Sequence, residues 1–95
     1  MPVESETRVA PHPDVVWRLV DGEVVLLNVT SGLYYSLDPV GSRVWALVPA
    51  EGTSLGTLRD SLVTEYDAPG DQIDRDLAAL FTQLIDTGLA VIVTS

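Results

Sequence analysis

Side chains suited to acid–base, nucleophilic or metal chemistry are few and scattered in this 95-residue chain. Cysteine is absent, and the single histidine, His12, lies between Pro11 and Pro13. General acid–base catalysis and metal binding need several convergent groups, and an isolated histidine is more typical of an exposed loop. Asp74 and Asp76 lie on different sides of a predicted helix, so their carboxylates cannot act as a pair. The common hydrolase, zinc-protease and phosphate-binding motifs are also missing. The sequence therefore predicts no catalytic site, no metal site and no cofactor.

A five-residue segment, LYYSL, offers recognition through the backbone instead. Its residues alternate, so Leu33, Tyr35 and Leu37 share one face, and Tyr34 and Ser36 share the other. Natural proteins blunt an open sheet edge with lysine, proline or a bulge, and this segment contains neither residue. An extended peptide could add beside such an edge, with backbone hydrogen bonds for affinity and side-chain pockets for specificity. The alternative interpretation is that the edge strand is simply short and has no binding role.

The residues that flank this segment fix its position. Gly32 precedes it and can adopt the positive φ of a turn. Asp38 follows at a helix N-cap position, and Pro39 suits the first helical position, where the missing N–H costs nothing. The apolar spacing after Pro39 predicts a first helix over about 39–48. The predicted strand is thus joined to the predicted helix directly, with only the N-cap residue Asp38 between them.

Two earlier segments, Val15–Val20 and Glu23–Val29, are predicted as strands. Asp21 and Gly22 between them are typical of a type I′ hairpin turn. With Leu33–Leu37 they predict a three-stranded antiparallel meander, in which the third strand is an edge. Residues 1–13 are rich in proline and show no periodicity, so we predict a flexible N-terminal segment there and one domain at 14–95.

Two more helices follow. Thr53 or Ser54 is suited to cap the second helix, and Asp71 to cap a third helix over about 72–87. Gly88 suits the position just past its end. The final β-branched run leaves two alternatives open, a short terminal strand or simple packing.

The apolar residues of the third helix cover an unusually wide arc. At about 100° per residue the arc spans about 140–160°, against the ~100° stripe that a surface helix minimally needs. Either the helix packs on two neighbours, or one side of it lines a groove for a ligand. Asp74 and Asp76 stand in its N-terminal part, where carboxylates also stabilise the helix dipole.

Composition excludes several function classes. The net charge is −9, from 14 Asp and Glu against five Arg and no Lys, and such a chain repels phosphate backbones. Neither a secretory signal nor an apolar run long enough for a membrane span occurs. Hydrophobic residues make up 46% of the chain, enough for a core. We expect one small cytoplasmic domain with a neutral or basic partner.

An ordered set of residues around the third strand is similar to a known family. The set is Gly32, Tyr34, Tyr35, Leu37, Asp38, Gly41, Val44 and Trp45. It resembles the strand-to-helix signature of PqqD-like proteins, the RiPP recognition elements. The later run Asp86-Thr87-Gly88-Leu89 is similar too, and the resemblance covers about Val15 to Val93.

The resemblance implies an α+β fold of winged helix-turn-helix type, with a three-stranded antiparallel sheet followed by three helices. It also implies a non-catalytic protein that binds the leader of a ribosomally made precursor peptide. The leader would add antiparallel to the third strand, in the groove with the third helix. On this chain the implied peptide-binding residues are Leu33, Tyr34, Tyr35, Ser36, Leu37, Asp74, Asp76, Leu77, Ala78, Leu80 and Phe81.

Within the family, an acidic, free-standing member most resembles the leader-binding proteins of lasso-peptide pathways, which deliver the precursor to a leader peptidase and then a cyclase. One alternative is a PqqD-type peptide chaperone for a radical SAM enzyme. Two alternatives of other classes are a winged-helix DNA-binding regulator and a module that dimerises through its edge strand.

Overall fold

Two three-stranded antiparallel sheets and three helices make up the computed structural model, which describes residue 4 and residues 6–93. The strands are β1 Arg8–Pro11, β2 Val15–Val20, β3 Glu23–Asn28, β4 Tyr34–Ser36, β5 Thr53–Ser54 and β6 Ala90–Ile92; the helices are α1 Pro39–Ala46, α2 Leu55–Glu65 and α3 Gly70–Asp86. One sheet has the order β2-β3-β4 and the other β5-β1-β6. The predicted α+β class, with a three-stranded antiparallel sheet and three helices, is confirmed.

The β2-β3-β4 sheet is the predicted meander. Asp21 and Gly22 have φ angles of 52° and 82°, as the two central residues of a type I′ turn require. Val20 pairs with Glu23 directly beside this turn. The third strand is shorter than predicted, since only Tyr34–Ser36 pair with β3 as strand residues.

The second sheet was not predicted, and the expectation of a flexible segment is wrong for Arg8–Pro11. Within β1, Val9 and Ala10 are buried, and Val9 pairs with Thr53 on one side and Ile92 on the other. The buried side chains of Val9 and Ala10 hold β1 against the core. The two strands that flank β1 come from distant parts of the chain. Residues 1–3 and 5 of the predicted segment lie outside the described residues. The terminal apolar run forms β6, which settles the alternative left open above.

Gly52 lies where the chain turns into β5 beside β1. Its φ is +95°, and a Cβ there would lie 2.9 Å from the Val9 carbonyl oxygen. Only glycine lets the two backbones approach this closely.

Helix ends follow the predicted capping, with one exception. The Asp38 carboxylate accepts a hydrogen bond of 2.7 Å from the Gly41 N–H, and Ser54 caps α2. Asp71 is not the N-cap of α3: the helix begins at Gly70, so Asp71 lies in the first turn and acts on the helix dipole. Gly88 has the positive φ predicted for the residue after the helix.

The core lies between the three helices and the inner faces of the sheets. Its fully buried large side chains are Val9, Val24, Leu26, Leu55, Leu58, Phe81, Leu84 and Leu89. None of the helices built from the described residues is long and apolar enough to cross a bilayer.

Two polar side chains are buried among the described residues, Asn28 and Ser42, and they act at opposite ends of β3. The Ser42 hydroxyl of α1 accepts a hydrogen bond of 2.8 Å from the Val24 N–H and donates one of 3.2 Å to the Leu37 carbonyl. It therefore completes the β3–β4 ladder at the point where β4 ends and α1 begins.

Replacing Gly52 with alanine should destabilise the fold more than the same change at Gly22. Both residues have positive φ, which costs a non-glycine residue roughly 1–2 kcal/mol, but only Gly52 has a backbone atom in the way of a Cβ. Urea unfolding of the two variants measures the difference. Equal losses would show that the close approach to Val9 is not a constraint.

Ser42→Ala should lower the free energy of unfolding by about 1–3 kcal/mol, because a buried N–H and a buried carbonyl lose their partner. Ser61→Ala, an exposed change on α2, is the matched control and should stay within about 0.5 kcal/mol of the parent. Urea unfolding followed by circular dichroism measures both. A loss no larger than that of the control would contradict the role of this hydroxyl.

Candidate functional site

Strand β4 is a sheet edge whose backbone groups on one side have no strand beside them among the described residues. The Asn28 N–H donates to the Leu33 carbonyl (2.9 Å), and the Leu37 N–H donates to the Val24 carbonyl (2.8 Å). In an antiparallel pair, hydrogen-bonded and non-hydrogen-bonded positions alternate. The N–H and carbonyl groups of Tyr34 and Ser36 therefore point away from β3, toward the open side.

The side chains of β4 alternate as the sequence predicts. Tyr35 is half-buried and Leu37 is buried, whereas Tyr34 is 74% exposed and Ser36 is also exposed. Leu33 departs from the pattern: it precedes the strand and is largely exposed. The inner side chains anchor the strand in the core, and the outer ones leave its free edge accessible.

Contacts near both ends of β4 show how helix α3 runs relative to that strand. The Asn28 amide donates a hydrogen bond of 2.8 Å to the Gly88 carbonyl, just past the end of α3. At the other end, Asp38 lines the same cavity as Asp76 and Leu80 of α3. The helix thus runs antiparallel to β4.

The cavity at the Asp38 end has a volume of about 420 Å³ and a largely apolar wall. It is lined from α1 and its cap by Asp38, Val40, Gly41 and Val44, from the end of α2 and the following loop by Leu62, Tyr66 and Ala68, and from α3 by Ile73, Asp76, Leu77 and Leu80. Its apolar wall suits an apolar side chain, and two carboxylates lie among its lining groups.

The predicted residues of α3 divide between the two sides of the helix. Asp76, Leu77 and Leu80 line the cavity. Phe81 is completely buried in the core, so its side chain is not accessible to a peptide. Asp74 points to α2, where its carboxylate accepts a hydrogen bond of 3.2 Å from Arg59, and Ala78 lies one turn further on the same side.

The wide apolar arc of α3 therefore contacts more than one neighbour. One side of the helix packs on α2, and the other lines the cavity shared with α1. Asp74 and Ala78 belong to the first side, and the structure does not bring them together with β4.

Sequence reasoning missed the cavity residues on α1 and α2. Val40 and Val44 are four residues apart, and this spacing places both on one helix face. Val44 is buried but Val40 is half-exposed, so this helix face leaves apolar surface that no other side chain covers. Tyr66 and Ala68 carried no comparable signal, because their position depends on how α2 meets α3.

Ion pairs remove much of the positive charge of the helical layer. The hydrogen bonds that Arg59 donates to Asp74 and then to Asp60 hold the pKa of Arg59 above its ordinary value. A hydrogen bond with Glu65 similarly raises the pKa of Arg43, and Arg43 lowers the pKa of Glu65. Within the described residues Asp76 has no ion-pair partner, so its carboxylate adds negative charge to the cavity lining.

Comparison with known proteins identifies the family. The family described as coenzyme PQQ synthesis protein D (PqqD) matches residues 23–90, so this chain belongs to the PqqD family. The resemblance to PqqD-like RiPP recognition elements is thereby confirmed.

Two solved structures are similar along nearly their whole length. TbiB1 in complex with the TbiA(beta) leader peptide is 32% identical with a TM-score of 0.80, and the match covers 90% of this chain and 99% of that chain. Lasso peptide synthetase B1 complexed with the leader peptide is 25% identical with a TM-score of 0.73, covering 87% of this chain and 96% of that chain. The comparison with curated proteins found no match.

Proposed function

We propose that this protein binds the leader region of a ribosomally synthesised precursor peptide of the lasso type, by addition of a strand to β4 in the groove with α3. The main supporting observation is the pair of outward-pointing backbone positions, Tyr34 and Ser36, on an open strand edge that is followed by Asp38 at an apolar cavity. The likeness to two leader-peptide complexes supports the same conclusion.

The backbone part of this recognition does not depend on the sequence of the leader. Two outward residues offer two N–H and two carbonyl groups, and each hydrogen bond contributes a net ~0.5–1.5 kcal/mol. Full burial of one large apolar side chain contributes a similar ~1.5–3 kcal/mol. The edge therefore holds a leader of any sequence weakly, and the cavity at the Asp38 end selects the leader with a fitting apolar residue.

The protein acts without catalysis of its own, in the cytoplasm, and delivers the bound precursor to a leader peptidase and then a cyclase. The proposed groove offers backbone hydrogen-bonding groups, an apolar wall and carboxylates. These groups can bind a peptide, and no catalytic step is proposed for them. In the alternative pathway a radical SAM enzyme receives the peptide from a PqqD-type chaperone. DNA recognition is disfavoured, because α3 carries Asp71, Asp74, Asp76 and Asp86 against Arg75.

Ser36→Pro should weaken leader binding at least tenfold without unfolding the domain. Proline removes an N–H that points to the open side, and it is tolerated on an edge strand in that orientation. Ser36→Ala keeps the N–H and is the matched control, expected within twofold of the parent. Fluorescence anisotropy with a labelled leader measures affinity, and circular dichroism checks folding.

The parent should bind its leader with a dissociation constant between nanomolar and micromolar and should not bind the core peptide. Equal affinities of the proline and alanine variants, with both folded, would rule out strand addition at β4. Absence of leader binding by the parent would overturn the proposed function as a whole.

Asp76→Asn should weaken binding of a leader with basic residues by about threefold to tenfold at low salt and flatten its salt dependence, because an unpaired carboxylate at the groove is lost. Asp74→Asn is the control of the same chemistry, since that carboxylate is already paired with Arg59. Anisotropy titrations over a range of NaCl concentrations measure the difference. A larger effect at Asp74 than at Asp76 would contradict the assignment of the two helix sides.

A further inference from the structure

Strand β2 is the second open edge of the β2-β3-β4 sheet, and it is longer than β4, with six residues against three. It contains neither lysine nor proline, and every residue from Val16 to Val20 is exposed. Natural proteins rarely leave so long an apolar edge open, because it pairs readily with another strand. Within the part of the chain that the structure describes, β3 is the only strand that pairs with β2. The other side of β2 is therefore free to receive a strand.

The free backbone groups of β2 belong to its odd-numbered residues. The Val29 N–H donates to the Asp14 carbonyl (3.0 Å), one residue before the β2–β3 pairing begins. Because hydrogen-bonded and non-hydrogen-bonded positions alternate along an antiparallel pair, the even-numbered residues of β2 bond to β3. The N–H and carbonyl groups of Trp17 and Leu19 consequently point to the open side.

Two symmetric antiparallel registers pair these groups with those of a second copy of this chain. In one, Trp17 lies opposite Leu19, and the two Arg18 side chains lie directly opposite each other. In the other, Trp17 lies opposite Trp17, and Leu19 lies opposite Val15. Two hydrogen bonds then form at the Trp17 pair, and the Leu19 N–H on each side meets a Val15 carbonyl. The Val15 N–H does not take part, since it donates to the His12 carbonyl (3.0 Å).

Charge selects the register with Trp17 opposite Trp17. Like charges directly across a strand pair destabilise it, and the first register opposes the two Arg18 side chains. The second places Arg18 opposite Val16 of the other copy and diagonal to its Asp14, along the diagonal that right-handed sheet twist shortens. Arg18 forms no ion pair within the described residues, so it is available to this carboxylate. The strand is thus complementary in charge to a second copy of itself.

The inner face of β2 adds apolar surface to the same contact. Trp17 pairs with the fully buried Leu26, yet it is 52% exposed, because β2 extends past the helices that cover the core. Its indole borders an open cavity of about 670 Å³ together with Val15 and Trp45. In the selected register each indole faces the indole of the other copy, and the exposed Leu19 faces the half-buried Val15. Pairing therefore covers the inner side chains that the single chain leaves open.

We propose that β2 pairs antiparallel with β2 of a second copy, with Trp17 at the two-fold axis, to form a symmetric dimer. The two sheets then make one continuous sheet of order β4-β3-β2-β2-β3-β4, and both β4 edges stay open at its ends. This inference does not rest on leader binding, because β4 takes no part in the contact. The net charge of −9 on each chain opposes association, and the contact is one strand wide. We therefore expect a dimer that dissociates in the micromolar range.

Val16→Glu and Val16→Arg test the register with changes of opposite sign. Val16 is 54% exposed and lies opposite Arg18 of the other copy in the proposed dimer. The glutamate variant should dimerise about threefold to tenfold more tightly, although its net charge is more negative, and the arginine variant about tenfold more weakly. Sedimentation velocity of the leader-free chain over about a hundredfold range of concentration measures both affinities, and circular dichroism checks folding.

Val63→Glu and Val63→Arg, at an exposed valine on α2, are the matched controls for charge and should leave the dimer affinity within about twofold. Leu19→Pro removes an N–H that points to the open side, a change that an edge strand tolerates, and it should leave a folded monomer.

A parent that stays monomeric over the whole concentration range would overturn the proposal. So would a dimer whose affinity does not move in opposite directions in the two Val16 variants. A dimer that Ser36→Pro dissociates and Leu19→Pro leaves intact would overturn it in favour of pairing through β4. Leader binding is measured separately by anisotropy, so each of these outcomes leaves the proposed function standing.

Discussion

The hydroxyl of Ser42 holds together the three elements on which the site depends. It bridges the Val24 N–H of β3 and the Leu37 carbonyl at the end of β4, and it lies on α1. The Asp38 cap starts α1 one residue after Leu37, so the helix cannot move without disturbing the ladder. Because the hydroxyl is buried, each group that it satisfies would otherwise lack a partner. The position of β4 is therefore fixed from the helix side.

Asn28 fixes the opposite end. Its amide reaches the Gly88 carbonyl after α3, while its side-chain oxygen accepts hydrogen bonds from Thr30 and Ser31 in the turn before β4. Buried polar side chains thus hold both ends of β4, Ser42 where the strand ends and Asn28 before it begins, so its outward backbone groups stay aligned without a ligand. Such preorganisation lowers the ordering cost of binding.

Local rules predicted the part of the fold that depends on near neighbours. The Asp21-Gly22 turn, the alternation of β4 and the Asp38-Pro39 start of α1 each follow from adjacent residues, and all are confirmed. Strand β1 escaped prediction because RVAP is short, ends in proline and pairs with residues more than 40 positions away. The two sides of α3 could not be separated either, since Asp74 is assigned to α2 only by its contact with Arg59. The cavity formed by α1, α2 and α3 depends on packing angles that no single segment encodes.

The sheet β5-β1-β6 has a consequence for how this domain can be carried in larger proteins. Its pairing places the first and last described strands side by side, and the Val93 N–H donates to the Arg8 carbonyl (2.9 Å). The entry and exit of the chain are therefore neighbours, on a sheet different from the one that bears the groove. A domain with adjacent ends accepts fusion at either end, or insertion into a host loop, without being stretched. Attachment at these ends would leave the open edge of β4 unobstructed, because the ends and that edge belong to different sheets.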